Sequence, residues 1–208
     1  IIYSVSKIID ETDGPTAVFS VNTQHITIPT IGIHNVYNAL AAFTVGITLD
    51  IEPQTAANAL SAYVPAGMRQ RNINVGGITS IEDCYNASPD SMKAALKTLA
   101  NTTSNKKIAV LGDMLELGDF SKNAHEDVGK MVVENKIDYL LAYGNEAKYI
   151  VESAKALGME NAFYFDDKNE LSNKLLQIAS KGDAVIFKAS RGMKLEDVIH
   201  FVYDRWEK

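Results

Sequence analysis

The chain has 208 residues, of which 46% are hydrophobic and 22% charged, a composition typical of a globular protein rather than a disordered one. The 26 acidic residues against 20 basic ones give a formal charge of −6, which excludes a general electrostatic attraction to nucleic acid or to an anionic membrane. The longest apolar stretches fall far short of the roughly 20 residues that cross a bilayer. The single cysteine, Cys84, excludes an internal disulfide and suits a reducing cytoplasm.

The first 64 residues combine strand-like and helical sequence. Three short β-like runs, punctuated by turn residues, occupy 2–5, 17–21 and 25–28. Apolar residues then recur every three or four positions from 33 to 49, which predicts a largely buried helix, and a second helix is expected after Pro53. Because Pro65-Ala66-Gly67 breaks this pattern, we place a domain boundary there, with one domain at 1–64 and a second at 65–208.

In the second domain, strands alternate with helices. Residues 73–75 and 78–83 predict a hairpin across Gly76-Gly77, and Ser88-Pro89 predicts the start of a helix. Four β-like runs follow at 107–111, 139–143, 162–165 and 184–188, each followed by a helical stretch, at 123–135, 146–157, 169–179 and 195–206. The pattern predicts an α/β, Rossmann-like domain with a mostly parallel sheet and helices on both faces. Ligands of such sheets bind at the carboxyl ends of the strands.

Two strand-end loops carry acidic residues. Asp83, followed by Tyr85 and Asn86 before a helix start, could accept hydrogen bonds from a ribose diol, and an Asx turn with a helix cap fits the same residues equally well. In the next loop, glycines bracket Asp113 and Glu116; the loop could hold a metal-bound group or an amine, but a solvated turn is favoured.

One histidine follows these loops. His125 lies early in the next predicted helix, where a lone histidine is more often a surface or capping residue than a catalyst. Its role stays open.

The last strand-end loop carries cations. Lys188, Ser190, Arg191 and Lys194 precede the final helix, and such a cluster in an acidic protein favours binding of a carboxylate or phosphate over neutralisation of nearby acids.

A polar group also marks the first predicted helix. His34 and Asn38 lie four residues apart on one face, with Asn35 beside them. The side-chain amides of Asn35 and Asn38 could form hydrogen bonds with the edge of an adenine, although polar residues at a helix start are common.

Several catalytic motifs are absent from the sequence. It has no Gly-x-x-x-x-Gly-Lys-Ser/Thr loop, no Gly-x-Gly-x-x-Gly before a helix, no His-Glu-x-x-His and no Gly-x-Ser-x-Gly. An autonomous nucleotidase, dehydrogenase, zinc protease or α/β-hydrolase is therefore disfavoured.

Taken together, five segments in order resemble the motifs of the Mur ligases of bacterial cell-wall synthesis, and within them the ligases that act on UDP-N-acetylmuramoyl-tripeptide. The last motif of the family usually carries Gly where Ala189 stands. The matching segments are His34-Asn35-Val36-Tyr37-Asn38-Ala39-Leu40-Ala41-Ala42, Gly67-Met68-Arg69, Asp83-Cys84-Tyr85-Asn86-Ala87-Ser88-Pro89-Asp90-Ser91-Met92, Leu111-Gly112-Asp113-Met114-Leu115-Glu116-Leu117-Gly118 and Lys188-Ala189-Ser190-Arg191-Gly192-Met193.

The resemblance implies an ATP site. In the family, residues at these positions bound the adenine, hold the ribose, approach the phosphates and complete the wall of the site. Here they are His34, Asn35 and Asn38 for the adenine, Asp83 for the ribose, Arg69 for the phosphates, and Tyr85 and Asn86 for the wall.

The resemblance also implies a site for D-alanyl-D-alanine. Lys188, Ser190 and Arg191 would line it, while Asp113 and Glu116 would lie nearby. The implied reaction is ATP-dependent: the tripeptide carboxylate takes the γ-phosphate as an acyl phosphate, and the dipeptide amine displaces phosphate, with Mg²⁺ offsetting charge.

The phosphate loop, the Mg²⁺ ligands and the UDP-sugar domain of such ligases are not found in the 208 residues, and the chain opens at Ile1 in strand-like sequence. We therefore expect a fragment, inactive alone, in which the strands and two helices of a partial central ATPase domain precede a complete C-terminal domain. The enzyme is expected to be a cytoplasmic monomer of peptidoglycan synthesis, without nucleic acid or membrane partners. Two alternatives remain: a ligase of the folylpolyglutamate or cyanophycin synthetase type, or a non-catalytic nucleotide-binding or interaction module.

Overall fold

The computed structural model describes residues 5–10, 17–21, 24–29, 33–64 and 71–207, with the backbone alone for 5–10, 33 and 34. It divides into two compact units, Ile1–Ala66 and Gly67–Lys208. The predicted boundary sequence, Pro65-Ala66-Gly67, and Arg69 lie outside the described residues.

The first unit contains a small antiparallel sheet and two helices. Strand β2 pairs with both β1 and β3, and Val36 and Phe43 of the first helix are buried against this sheet. The elements are β1 Val5–Asp10, β2 Ala17–Val21, β3 Gln24–Ile28, α1 Ile33–Thr48 and α2 Pro53–Ser61.

The placement of the first strand differs from the prediction. The sequence predicts it at 2–5, of which 2–4 lie outside the described residues, whereas β1 runs over Val5–Asp10. Pairing with β2 sets this register, with Ile9 opposite Val18. A short apolar run alone does not fix which residues find a partner strand.

The second unit is an α/β domain with a six-stranded sheet. Its strand order is β4-β5-β9-β6-β7-β8, and all neighbours are parallel except the β4–β5 hairpin at one edge. The elements are β4 Arg71–Val75, β5 Ile78–Asp83, α3 Pro89–Asn101, β6 Lys107–Gly112, α4 Ser121–Glu134, β7 Tyr139–Tyr143, α5 Lys148–Ala156, β8 Ala162–Phe165, α6 Lys168–Ile178, β9 Ala184–Lys188 and α7 Glu196–Trp206.

The helices cover both faces of this sheet. One core packs α3, α4 and α5 against it, with Leu96, Val128 and Ile150 fully buried. The other packs α6 and α7, with Leu175 and Val198 fully buried. The predicted α/β fold with a mostly parallel sheet is confirmed. No helix among the described residues has the length and apolarity that crossing a membrane requires.

Local sequence explains where two elements begin. Gly76 and Gly77 both adopt positive φ, 58° and 82°, as a two-residue hairpin turn of this hand requires. Ser88 caps α3 by a reciprocal pair of bonds with Ser91, and Pro89 takes the first helical position, as predicted.

Candidate functional site

Three of the predicted loops meet at the carboxyl ends of neighbouring strands in the parallel sheet. Strand β9 lies between β5 and β6, so that Lys188 is paired in register with Asp83 on one side and with Leu111 on the other. The loops that follow these three strands therefore emerge side by side, where ligands of such sheets bind.

At these strand ends Lys188 forms an ion pair with Asp83. Its Nζ lies 2.7 Å from Oδ2 of Asp83 and 2.9 Å from the carbonyl oxygen of Asn86. The Lys188 side chain is 1% exposed and that of Asp83 is 13% exposed. The charge of Lys188 is therefore offset within the protein, and the pair ties the β5 loop to the β9 loop.

The single cysteine joins the same two strands. The Cys84 thiol donates a hydrogen bond of 3.2 Å to the carbonyl oxygen of Phe187. Burial, followed by the neighbouring charge of Asp83, raises the pKa of this thiol far above its usual range. Since the thiolate is the reactive form, Cys84 acts here as a packed neutral group.

Two exposed side chains follow Asp83 before α3 begins. The Tyr85 ring is 44% exposed. Asn86 is exposed, and its Oδ1 accepts a hydrogen bond of 2.9 Å from the amide of Ala87. Both side chains thus lie at the surface of the loop that follows Asp83.

The Asp113 carboxylate is buried and bonded to backbone. Its oxygens accept hydrogen bonds from the amides of Asn145 at 3.0 Å, Glu146 at 3.0 Å and Ala147 at 2.7 Å, just before α5. This links the loop after β6 to the loop after β7. Glu116, in contrast, is exposed and adopts a positive φ of 65°.

Ser190 connects the β9 loop to the β6 loop. Its amide donates to the carbonyl oxygen of Asp113 at 3.1 Å, and its Oγ accepts from the amide of Leu115 at 2.9 Å.

The predicted residues of the β9 loop differ in exposure. Ser190 is buried, whereas the side chain of Arg191 is 60% exposed, and its guanidinium lies 3.6 Å from Oε1 of Glu196. Of the predicted cations, Arg191 and Lys194 face solvent and Lys188 does not.

His125 contacts the same loop, although a lone histidine early in a helix is more often a surface or capping residue. Its side chain is fully buried, and Nε2 lies 3.0 Å from the amide nitrogen of Met114. The commoner surface position therefore does not apply to His125, whose ring accepts the amide of Met114. Helical spacing alone gives no signal of that contact.

The predicted adenine residues belong to the first unit. His34, Asn35 and Asn38 lie in the first two turns of α1, where Asn35 is half-buried and Asn38 exposed. The side chain of His34 and the whole of Arg69 lie outside the described residues.

Metal ligands are not grouped in the part of the chain that the structure describes. No cluster of three or more His, Cys, Asp or Glu side chains there could hold a metal ion. None of the described residues is therefore assigned to Mg²⁺.

The chain is similar to known proteins over most of its length. The family model described as "Mur ligase, glutamate ligase domain" matches residues 68–191. A protein of Bacillus subtilis (strain 168) named UDP-N-acetylmuramoyl-tripeptide–D-alanyl-D-alanine ligase is 42% identical over 175 residues, which cover 83% of this chain and 38% of the relative. A protein of the same name from Haemophilus influenzae is 33% identical over 195 residues, covering 86% and 39%.

Solved structures give the same family. A crystal structure of MurF from Acinetobacter baumannii matches with a TM-score of 0.88 at 28% identity, over 97% of this chain and 45% of that one. The chain thus spans 38% of the Bacillus subtilis relative and less than half of the crystallised protein.

Proposed function

Since this chain belongs to the Mur ligase family, we propose that it forms part of a ligase that joins D-alanyl-D-alanine to UDP-N-acetylmuramoyl-tripeptide in the synthesis of peptidoglycan. The observation that carries the proposal is the 42% identity, over 83% of this chain, to a ligase named for those two substrates. We propose that ATP activates the tripeptide carboxylate, that this chain holds part of the nucleotide and the dipeptide, and that the enzyme is a cytoplasmic monomer.

Asp83 is proposed to bind the ribose. The ion pair with Lys188 engages Oδ2 and fixes the carboxylate at the strand end, and 13% of the side chain is exposed. A carboxylate held in this way can accept a hydrogen bond from a ribose hydroxyl through Oδ1 without rotating first. Tyr85 and Asn86 are proposed to complete that wall, and Arg69 to approach the phosphates.

The first unit is proposed to bind the adenine. Asn35 and Asn38 are placed on neighbouring turns of α1, and an amide can donate to a ring nitrogen while accepting from an exocyclic amine. His34 precedes them in the same helix.

The dipeptide is proposed to bind beside Ser190 and Arg191. The Ser190 Oγ already accepts the amide of Leu115, so its proton remains to donate to a carboxylate. Arg191, largely exposed, can form a bidentate hydrogen bond to the same carboxylate.

The other predicted residues have supporting contacts. Direct contact of Lys188 with the dipeptide stays a prediction, and its ion pair supports a role in fixing Asp83. Asp113 supports the site through its backbone bonds, and Glu116 stays a prediction as a neighbour of it.

The reaction is tested by ADP release from the complete enzyme that carries this chain. We expect release only with both the tripeptide substrate and D-alanyl-D-alanine. Release with glutamate in place of the dipeptide would show a folylpolyglutamate-type ligase instead, and nucleotide binding without any turnover would show a non-catalytic module. Either result overturns the proposal.

The dipeptide site is tested with Arg191→Ala and Arg191→Lys. Loss of a charge-assisted bond predicts a KM for the dipeptide raised about tenfold or more by Arg191→Ala, and less by Arg191→Lys. Lys130→Ala serves as the control, because that side chain is exposed on α4 and pairs only locally with Asp127. Equal KM values in all three variants would contradict the assignment.

The ribose site can be tested without altering the protein. If Asp83 accepts a bond from the ribose, 2′-deoxy-ATP or 3′-deoxy-ATP should show a KM about tenfold above that of ATP, as for one bond to a charged group. Equal KM values for the three nucleotides would remove the ribose role of Asp83.

A further inference from the structure

The imidazole of His125 is a fully buried titratable group that the proposed chemistry does not use. Nε2 lies 3.0 Å from the amide nitrogen of Met114, and Nδ1 lies 2.7 Å from the carbonyl oxygen of Ser121. Because an amide can only donate and a carbonyl can only accept, Nε2 must be the acceptor and Nδ1 must carry the proton. Backbone groups on both sides therefore fix which ring nitrogen of His125 accepts and which donates.

The amide that His125 accepts belongs to the loop after β6. The next amide along the chain, that of Leu115, donates to Oγ of Ser190 at 2.9 Å. The amide of Ser190 donates back to the carbonyl oxygen of Asp113 at 3.1 Å. Two consecutive amides thus donate to different elements: that of Met114 to His125 of α4, and that of Leu115 to Ser190 of the β9 loop.

The helix that carries His125 is a rigid support. Val128 and Val132 of α4 are fully buried in the core. Gly129 allows α5 to approach so closely that a Cβ there would lie 2.3 Å from the carbonyl oxygen of Ile150. A side chain on such a helix can impose its position on a loop, rather than follow it.

We propose that His125 is a positioning residue for dipeptide binding, acting through the Met114–Leu115 backbone to orient the hydroxyl of Ser190. Because the peptide groups on both sides of Met114 are planar, only the φ and ψ rotations of Met114 separate its amide from that of Leu115, so anchoring the first amide limits where the second can lie. The Leu115 amide then occupies one lone pair of Ser190 Oγ and directs the hydroxyl proton away from the loop. This inference rests on the proposed function, in which Ser190 contacts the dipeptide.

Three variants separate the two bonds of the imidazole. His125→Gln places an amide oxygen near the position of Nε2 and can still accept from Met114. His125→Asn is too short to reach Met114 but can still donate to Ser121, and His125→Leu can do neither. If positioning depends on the Met114 bond, the glutamine variant should rescue and the asparagine variant should not.

The functional test uses the complete enzyme. We expect His125→Leu and His125→Asn to raise the KM for D-alanyl-D-alanine about tenfold, as for loss of one hydrogen bond, with the KM for ATP unchanged. His125→Gln should stay close to the unmodified enzyme. A purely structural role would lower the amount of active enzyme and leave the KM for the dipeptide unchanged, and that result would overturn the inference.

A second measurement does not depend on the reaction. Amide hydrogen exchange in the 208-residue chain, followed by NMR, should show the Leu115 amide exchanging about tenfold faster in His125→Leu and His125→Asn than in His125→Gln. Equal exchange in the three variants overturns the positioning role. If the unmodified enzyme does not use the dipeptide, the proposed function fails instead, and the exchange rates alone decide whether His125 positions the loop.

Discussion

The ammonium of Lys188 and the carboxylate of Asp83 lie side by side, 2.7 Å apart, at the ends of two parallel strands that are paired in register. The two residues are more than 100 positions apart in the sequence, and their ion pair links the loops that follow the two strands. The most buried cation of the candidate site is therefore a fixed support for its most central carboxylate.

This pair should be asymmetric in its effect on stability. Asp83→Asn leaves the ammonium of Lys188 buried beside neutral oxygens, and we expect it to lower the free energy of unfolding by about 3–5 kcal/mol. Lys188→Met leaves a carboxylate that still reaches water, so the cost should be smaller, about 1–3 kcal/mol. Urea unfolding followed by the fluorescence of Trp206, the only tryptophan, measures both.

The double variant completes this test. If the two residues act as a pair, Asp83→Asn with Lys188→Met should cost less than the sum of the single variants. A larger cost for Lys188→Met than for Asp83→Asn would contradict the asymmetry.

Asp113 should stabilise the loop before α5. Asp113→Ala removes the acceptor of three backbone amides, one of them the buried amide of Ala147, and should cost about 2–4 kcal/mol. Asp113→Asn keeps one acceptor oxygen and should cost less. Glu116→Gln, on the same loop but exposed, should change the free energy of unfolding by under about 0.5 kcal/mol. Urea unfolding compares the three, and similar values for Asp113→Ala and Glu116→Gln would contradict the structural role.

Gly112 and Ala189 should be coupled. A Cβ at Gly112 would lie 2.8 Å from the Cβ of Ala189 and 3.3 Å from the carbonyl oxygen of Tyr143, so Gly112→Ala should cost about 1–3 kcal/mol through overpacking. Ala189→Gly removes the closer of these two contacts.

The measurement is a double-variant cycle in urea. With Ala189→Gly present, Gly112→Ala should cost about 1 kcal/mol less than it does alone. Costs that simply add would show that Ala189 does not limit the space at Gly112.

Tyr203 should make stability fall at alkaline pH. Its Oη lies 2.6 Å from Ser80 Oγ and 2.7 Å from Glu82 Oε1, and burial raises the pKa of Tyr203, with the bond to Ser80 opposing and the bond to Glu82 adding to the shift. The unfolded chain then loses the proton first. This contribution is complete below about pH 10, the ordinary value for tyrosine, and is lost as pH rises toward the folded-state value.

Phenylalanine variants test this effect. Tyr203→Phe should flatten the alkaline decline of the urea midpoint and should lower stability at neutral pH by about 1–3 kcal/mol, since Glu82 loses a donor. Tyr164→Phe, at an exposed position, should leave the decline unchanged. An unchanged decline in Tyr203→Phe would assign it to another group.

Periodicity predicted most of the second unit. The strands at Tyr139–Tyr143, Ala162–Phe165 and Ala184–Lys188 lie where alternating helices and strands place them, and Ser88-Pro89 starts α3 as capping chemistry requires. These features depend on neighbours within a few residues, which a single sequence contains.

The contacts within the site could not be predicted in the same way. The sequence indicates Lys188 as an anion ligand because it lies among cations, whereas its partner is decided by the register between β5 and β9. The burial of His125 likewise depends on how the chain turns at Met114. Both are contacts between distant parts of the chain, and the spacing of residues along one helix or strand carries no information about them.

Strand β9 lies between β5 and β6, although it is the last strand of the described chain to be made. While a ribosome synthesises β6 to β8, the edges of β5 and β6 that will face each other across β9 stay unpaired, and unpaired edges invite association with other chains. The sheet can close only after Lys188 has left the ribosome. The same strand that unites the candidate site thus sets the earliest moment in biosynthesis at which the six-stranded sheet can be completed, and any stop codon before it would leave both edges exposed.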